Sequence, residues 1–215
     1  MAKVAVLGSG TVGQVLADGF LKHGDEVVRG SRSPEKLADW RAKAGPKAST
    51  ATFADAVQGA DLVVLAVKGV AAEEVVKQAG PDALAGKTVI DATNPIAEVP
   101  PTNGVLHYFT SLEESLMERL QKLAPKANFV KAFSCVGNAF MVNPDFGGEK
   151  PTMFICGNDA AAKAQVVGVL ERFGWDHEDI GGAEGARAIE PLCILWCAPG
   201  FQRGQWAHAY RVLRK

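Results

Sequence analysis

Residues 3–13, Lys3 to Gly13, read KVAVLGSGTVG, and this stretch decides the fold. Lys3 to Leu7 is an apolar run of strand length. Gly8-Ser9-Gly10-Thr11-Val12-Gly13 follows without a spacer, and Gln14 to His23 reads as a helix. An ordinary glycine turn is one reading of GxGxxG. Its position between a strand and a helix is the context that indicates dinucleotide binding. Gly8 permits the tight turn out of the strand. Gly10 puts no side chain in the way of a diphosphate, and Gly13 lets the helix pack closely. The helix start then offers unpaired N–H groups and the positive end of its dipole to phosphate oxygens.

The next strand, Glu26 to Arg29, ends in Gly30-Ser31-Arg32-Ser33. NAD sites usually place an acid here for the ribose 2′-hydroxyl, and that acid would repel a 2′-phosphate. No acid lies between Val27 and Ser33. Ser31 and Ser33 offer hydroxyls, and Arg32 offers a guanidinium suited to paired charge-assisted bonds. NADP is therefore expected rather than NAD, with a plain surface role for Arg32 as the alternative. Ser33-Pro34 has the form of an N-cap followed by proline at the first helical position. Lys36 falls one turn inside that helix.

A chain of 215 residues suits one domain, here read as 1–215, with a modest C-terminal extension over about 183–215. Lys and Arg number 23 against 24 Asp and Glu, and the basic residues form no block, so nucleic acid is not an implied partner. The glycines at 8 and 10 interrupt any signal-like apolar core, and no run is long enough to span a membrane. The four cysteines, Cys135, Cys156, Cys193 and Cys197, follow no disulfide or metal pattern, which suggests reduced, buried thiols and a cytoplasmic setting. No metal is expected.

Strand-like and helix-like segments alternate along most of the chain. After the opening unit come a weak strand at Ser49 to Ala51, a short helix at Phe53 to Gln58 and a continuous apolar strand at Asp61 to Val67. A helix over Ala71 to Ala79, a strand over Lys87 to Ala92, an amphipathic helix over Leu112 to Leu123 and a strand over Asn128 to Phe133 follow. Thr152 to Cys156, Ala160 to Phe173 and Trp175 to Ile180 read as strand, helix and strand. Ala183 to Arg214 is mostly helix-like, bent or broken at Pro191, Pro199 and Gly200. This order specifies an α/β class: a doubly wound parallel sheet, the Rossmann fold, with a small C-terminal helical extension.

In such sheets ligands lie beyond the carboxyl ends of the strands. Three segments qualify: Ala66-Val67-Lys68-Gly69, Thr93-Asn94-Pro95-Ile96 and Ser134-Cys135-Val136-Gly137-Asn138. A nicotinamide is expected among them. Asn94 is suited to its carboxamide or a ribose hydroxyl, or else to its own turn, and Pro95 fixes the exit of the strand. Proton donors are scarce. His107 and His177 are possible acids but read better as surface or structural residues. Cys135 reads as a small thiol lining the pocket rather than a nucleophile. No catalytic residue is assigned.

Over nearly its whole length the chain resembles the NADP oxidoreductases that use the deazaflavin coenzyme F420. The residues that carry this are GSGTVG, the phosphate signature GSRSPEK, KAFSCVG after the sixth strand, MFICGNDAAAK, and GARAIEPLCIL at the opening of the C-terminal helix. It departs from the family where Lys68 replaces a frequent proline and where the sixth-strand loop reads SCVGN. The resemblance implies hydride exchange between reduced F420 and NADP, with the deazaflavin over the nicotinamide, in a homodimer. It implies NADP contacts from Ser9 to Val12, Ser31, Arg32 and Lys36, with Cys135 to Gly137 near the nicotinamide. The small-molecule partner is expected to be F420 or a flavin. Two alternatives stand beside this. One is an NADPH-dependent reductase of small carbonyls or imines, with His107 or Tyr108 as acid. The other is a non-catalytic NADPH-sensing protein. The apolar stretch Leu192 to Trp206 suits a subunit contact.

Overall fold

A computed structural model describes residues 1–215. Strand β1 (Lys3–Leu7) pairs in parallel with β2 (Glu26–Gly30), placing Val4 opposite Val27 and Leu7 opposite Gly30. β3 (Ala48–Ala51) adds outside β2. On the other side β1 pairs with β4 (Leu62–Leu65), followed by β5 (Thr88–Asp91) and β6 (Asn128–Lys131), all parallel. β7 (Thr152–Gly157) and β8 (Asp176–Asp179) complete an eight-stranded sheet of order 3-2-1-4-5-6-7-8. This is the doubly wound, Rossmann-like arrangement, and the strand order reverses between β1 and β4, where the ligand crevice of such a sheet opens.

The apolar runs are buried on both faces, as a central parallel sheet requires. Val4, Val6 and Val64 enter one core, while Ala5, Leu7, Val63 and Leu65 enter the other. Helix α1 (Thr11–Lys22) packs Leu16, Ala17 and Phe20 into the first core. Helices α3 (Phe53–Val57) and α4 (Gly69–Ala79) pack Phe53, Val57, Val75 and Val76 into the second. Fully burying one such aliphatic side chain contributes about 1.5–3 kcal/mol, which outweighs the weak propensity of the short strands. α2 (Ala38–Lys43) lies beyond β2.

Three local features differ from the sequence expectation. β7 pairs antiparallel with β6, so β7 and β8 reverse the direction of the first six strands. The helix expected from Leu112 begins only at Leu116: α5 is Leu116–Leu123, and Ser115 and Glu118 close a reciprocal capping box at its start. The C-terminal helix ends at Arg203, not Arg214. After α6 (Ala160–Arg172) and α7 (Ala186–Ile189), α8 spans Pro191–Arg203 and stops at Gly204, whose left-handed φ of 68° suits glycine.

The chain beyond Gly204 folds back across α8. Trp196 Nε1 donates to the carbonyl of His208 at 2.8 Å, and the indole stacks on that imidazole. Thr152 N donates to the Tyr210 carbonyl at 2.8 Å, and Val212 N to Thr152 Oγ1 at 3.1 Å, which ties the returning segment to the start of β7. No helix is long and apolar enough to cross a membrane.

Candidate nucleotide site

The glycines of the first turn do separate jobs. Gly8 has φ of 151°, and a Cβ there would lie 2.1 Å from the Ala66 carbonyl oxygen, so the close approach of β1 to the end of β4 admits only glycine. A Cβ on Gly13 would sit 2.7 Å from Gly8 O, which seats α1 against the turn. At Gly10 a Cβ would meet nothing within 4 Å. Protein packing does not explain this glycine, and the open space beside it fits a ligand's diphosphate. Thr11, Val12 and Gly13 form the first turn of α1, where N–H groups have no intrahelical partner.

A cavity of about 670 Å³ runs from this turn to the end of β2. Ser9 and Gly10 line one end, and Ser31, Arg32, Ser33 and Lys36 line the other. Ala66, Val67, Lys68 and Phe53 form the floor and side, with Glu74 and Gln78 of α4 at the margin. Nine of the residues singled out from the sequence thus meet in one space. The glycine turn, the hydroxyls and the three cations Arg32, Lys36 and Lys68 suit a phosphorylated dinucleotide.

Ser33 does not cap a helix as expected. Residues Pro34–Leu37 form a tight 3-10 turn in which Lys36 N donates to the carbonyl of Ser33 at 3.1 Å, leaving that donor unavailable to the Ser33 side chain. The Ser31 hydroxyl instead accepts from Ser33 N at 3.2 Å. Ser33 still lines the cavity, with its hydroxyl free of that cap.

Arg29, given no role by its sequence position, is buried beneath the turn. It donates to Gly8 O at 3.1 Å and Gly10 O at 3.3 Å, with its guanidinium 4.8 Å from the centre of the Trp40 ring. Trp40 in turn donates to Asp18 at 2.7 Å. Burial lowers the Arg29 pKa from its usual value, and the Asp18 charge opposes this. A buried-strand position carrying a charge directly after Val27-Val28 was the available signal. The guanidinium ties the Gly8 and Gly10 carbonyls of the turn together from below.

The remaining predicted residues lie outside that cavity, past the ends of β5 and β6. Asn94 Nδ2 donates to the Ser134 carbonyl at 2.8 Å and joins the two loops. Pro95 is buried beside it, and a Cβ on Gly69 would lie 2.0 Å from Asn94 O. Cys135 and Val136 are buried, and Gly137 is covered by Trp196 of α8, whose ring a Cβ there would meet at 2.5 Å. Burial pushes the Cys135 thiol up to about 12, so it is not a thiolate near neutral pH.

The candidate acids are engaged elsewhere. His107 Nε2 pairs with Thr102 Oγ1 at 2.8 Å in an exposed loop. His177 lies on the edge strand β8. Tyr108 donates to the Glu190 carbonyl at 2.7 Å, and burial raises its pKa well above the usual phenol value.

One set of charges received no role from the sequence. Lys131 Nζ contacts Asp91 Oδ2 at 2.7 Å and Glu190 Oε1 at 2.9 Å, and donates to Thr93 O at 2.9 Å. Glu190 also accepts from the N–H groups of Leu116 and Met117, both at 3.1 Å. Burial pulls the lysine pKa down, but the two carboxylates outweigh it and hold the ammonium charged. This cluster bolts the ends of β5 and β6 to α5 and to the junction of α7 and α8.

The family model for NADP oxidoreductase, coenzyme F420-dependent, matches residues 3–95, which hold the glycine turn and the whole cavity. A crystal structure from Arthrobacter sp. FB24, assigned as an F420-dependent NADP-reductase, is 32% identical with a TM-score of 0.92 and covers 100% of each chain. This chain belongs to the coenzyme F420-dependent NADP oxidoreductase family.

Metalloreductase STEAP3 of Rattus norvegicus is 30% identical over 203 residues, which is 92% of this chain but 38% of that protein. The chain thus spans well under half the length of that curated relative. An imine reductase from Myxococcus stipitatus, solved with NAD+, superposes with a TM-score of 0.67 at 19% identity, covering 91% of this chain and 60% of the other. That likeness is one of fold. The chain is thus a member of an NADP-dependent oxidoreductase family by sequence and by architecture.

Proposed function

We propose that this protein exchanges a hydride between NADP(H) and a deazaflavin of the F420 type, or a flavin. The observation that carries the reading is the single cavity shared by the glycine turn and the Ser31-Arg32-Ser33 corner. Ser9 to Gly13 would take the diphosphate on backbone N–H groups. Ser31, Arg32, Ser33 and Lys36 would take a ribose 2′-phosphate, for which a fixed guanidinium fork is well shaped. Ala66 and Val67 would support the nucleotide between these ends. Asn94, Pro95 and Cys135 to Gly137 would border the nicotinamide, which supplies or accepts the hydride at its ring carbon when bound. Residues 1–215 would act as one nucleotide-binding unit, with 183–215 covering its nicotinamide end.

Hydride transfer between two ring systems needs the reacting carbons close together in a dry site. It asks little proton transfer of the protein. That agrees with His107, His177 and Tyr108 being committed to other contacts or positions. The reductase of small carbonyls or imines would need one of them as an acid.

Anaerobic mixing of the purified protein with NADPH and F420, or with FMN, tests the proposal through the acceptor's visible absorbance. Bleaching of the acceptor matched by NADPH loss supports it. Turnover of a ketone or imine panel with none of any deazaflavin or flavin overturns it.

A further inference from the structure

Two thiols lie on the helix that covers the β6 loop, Cys193 on the same buried face as Trp196. Cys193 and Cys197 occupy successive turns of α8, with their sulfurs 4.0 Å apart. Cys193 is 6% exposed and Cys197 is half-buried, so a small hydroperoxide would reach the Cys193 sulfur by entering past Cys197. We propose that Cys193 and Cys197 form a reversible oxidation site for hydroperoxides, closing to a disulfide within α8.

The surroundings suit a thiolate at Cys193. The Cys197 thiol is its hydrogen-bond partner and the largest influence lowering its pKa; burial opposes this, while the Lys131 charge helps. At Cys135 and Cys156 burial outweighs the backbone hydrogen bonds of the one and the Lys131 charge on the other, and pushes each up to about 12. Reactivity towards peroxide follows thiolate character and access. The Cys193 thiolate attacks one peroxide oxygen, breaking the O–O bond and giving a sulfenic acid and hydroxide. The Cys197 sulfur then attacks the sulfenic sulfur, loses its proton, and releases water. The two thiols are oxidised by two electrons, and the peroxide is reduced by two.

The helix is weakened where the bridge would form. Pro199 lies inside α8 and has no N–H to give to the Leu195 carbonyl, and a proline ring crowds the carbonyl four residues before it. Side chains one turn apart hold their Cβ atoms about 5–6 Å apart, against about 3.5–4.5 Å in a relaxed disulfide. Closing the bridge must therefore tighten this turn, and a strained disulfide is readily reduced again. Trp196 lies between the two cysteines in sequence and covers Gly137, so the same movement reaches the loop after β6.

The test is peptide mass spectrometry on the wild-type protein, reduced, exposed to hydrogen peroxide, then alkylated and digested. The expected result is a peptide containing both residues, lighter by two hydrogens and restored by dithiothreitol. With Cys197→Ser, dimedone should trap a sulfenic acid on Cys193. Free thiols at both positions after oxidation of the exposed methionine Met1, a bridge that uses Cys135 instead, or sulfinic acid as the main product each overturn the proposal. Tryptophan fluorescence should shift on oxidation in the wild type and not in Cys197→Ser. A bridge without that shift overturns the coupling to Trp196. None of these readouts depends on turnover, so they stand apart from the identity of the hydride acceptor.

Discussion

The Lys131 ammonium lies 2.9 Å from the Glu190 carboxylate, and both are out of contact with water. The two residues come from the KAFSCVG and GARAIEPLCIL segments, 59 positions apart by subtraction of their numbers. Their ion pair joins the loop beside the expected nicotinamide to the helix that covers it. Asp91 makes the cluster one cation between two anions.

Removal of the cation should therefore be worse than neutralisation of one anion. Lys131→Met leaves Asp91 and Glu190 facing each other without compensation, and breaking a buried pair in this way costs about 3–5 kcal/mol. Glu190→Gln keeps a hydrogen-bond acceptor for the start of α5 and leaves Lys131 paired with Asp91, so it should cost clearly less. Urea unfolding measures both, and a Lys131→Met variant as stable as Glu190→Gln refutes the account. The sign with pH follows from the raised lysine pKa. The contribution is fully present below the unfolded value of about 10.4 and is lost only as pH rises through the higher folded value.

Arg32 and Arg29 should separate in their cofactor effects. Arg32→Ala removes a charged hydrogen-bond donor available to a 2′-phosphate, a loss of about 1.5–3 kcal/mol. At about 1.4 kcal/mol per decade, NADPH should bind roughly 10- to 100-fold more weakly, with NADH little changed. Arg29→Met releases Gly8 O and Gly10 O and loosens the turn itself. It should weaken NADPH and NADH by similar factors. Calorimetric titration of both nucleotides decides the matter, and an equal loss for both in Arg32→Ala removes the phosphate role.

Gly8 and Gly10 should separate stability from binding. Gly8→Ala drives a methyl into the Ala66 carbonyl at a φ that disfavours alanine, and should lower Tm by several degrees or prevent folding. Gly10→Ala meets no protein atom and keeps an ordinary extended φ of -79°, so Tm should hold. Its methyl would stand in the diphosphate's space, and NADPH affinity should fall about tenfold or more. Undiminished affinity in Gly10→Ala would falsify the placement of the diphosphate.

Glu118 predicts an acid limb to the stability profile. A hydrogen bond from Arg187 holds its carboxyl down at about 2; burial opposes this, and Ser115 adds to the lowering. A lowered carboxylate contributes stability above its unfolded value of about 4.3 and loses it as pH falls through the folded value. The wild-type Tm should therefore decline between about pH 4.3 and 2 more steeply than that of Glu118→Gln. Parallel curves for the two proteins dispose of this contribution.

The glycine turn and the corner after β2 were legible as neighbours because their constraints are local. The apolar run, the glycine spacing and the acid-free Gly30-Ser31-Arg32-Ser33 corner are contiguous in sequence and close in space. The start of α5 was misplaced because amphipathic periodicity extends past Ser115, although Ser115 and Glu118 carried the capping signal. Lys131, Glu190 and Arg29 escaped notice because an isolated charge in an apolar segment does not reveal its partner. Those partners lie 40, 59 and 21 positions away, from Lys131 to Asp91, from Lys131 to Glu190 and from Arg29 to Gly8. The reversal of β7 depends on which edge the chain meets after a long loop, and alternation along the strand carries no direction.

The hook of residues 204–212 onto Thr152 has a consequence for biosynthesis. All the residues lining the adenine-side cavity fall between Ser9 and Gln78 and leave the ribosome early. The segment that ties α8 to β7 lies more than a hundred residues downstream. Covering of the β6 loop by α8 therefore depends on residues made long after the cavity lining.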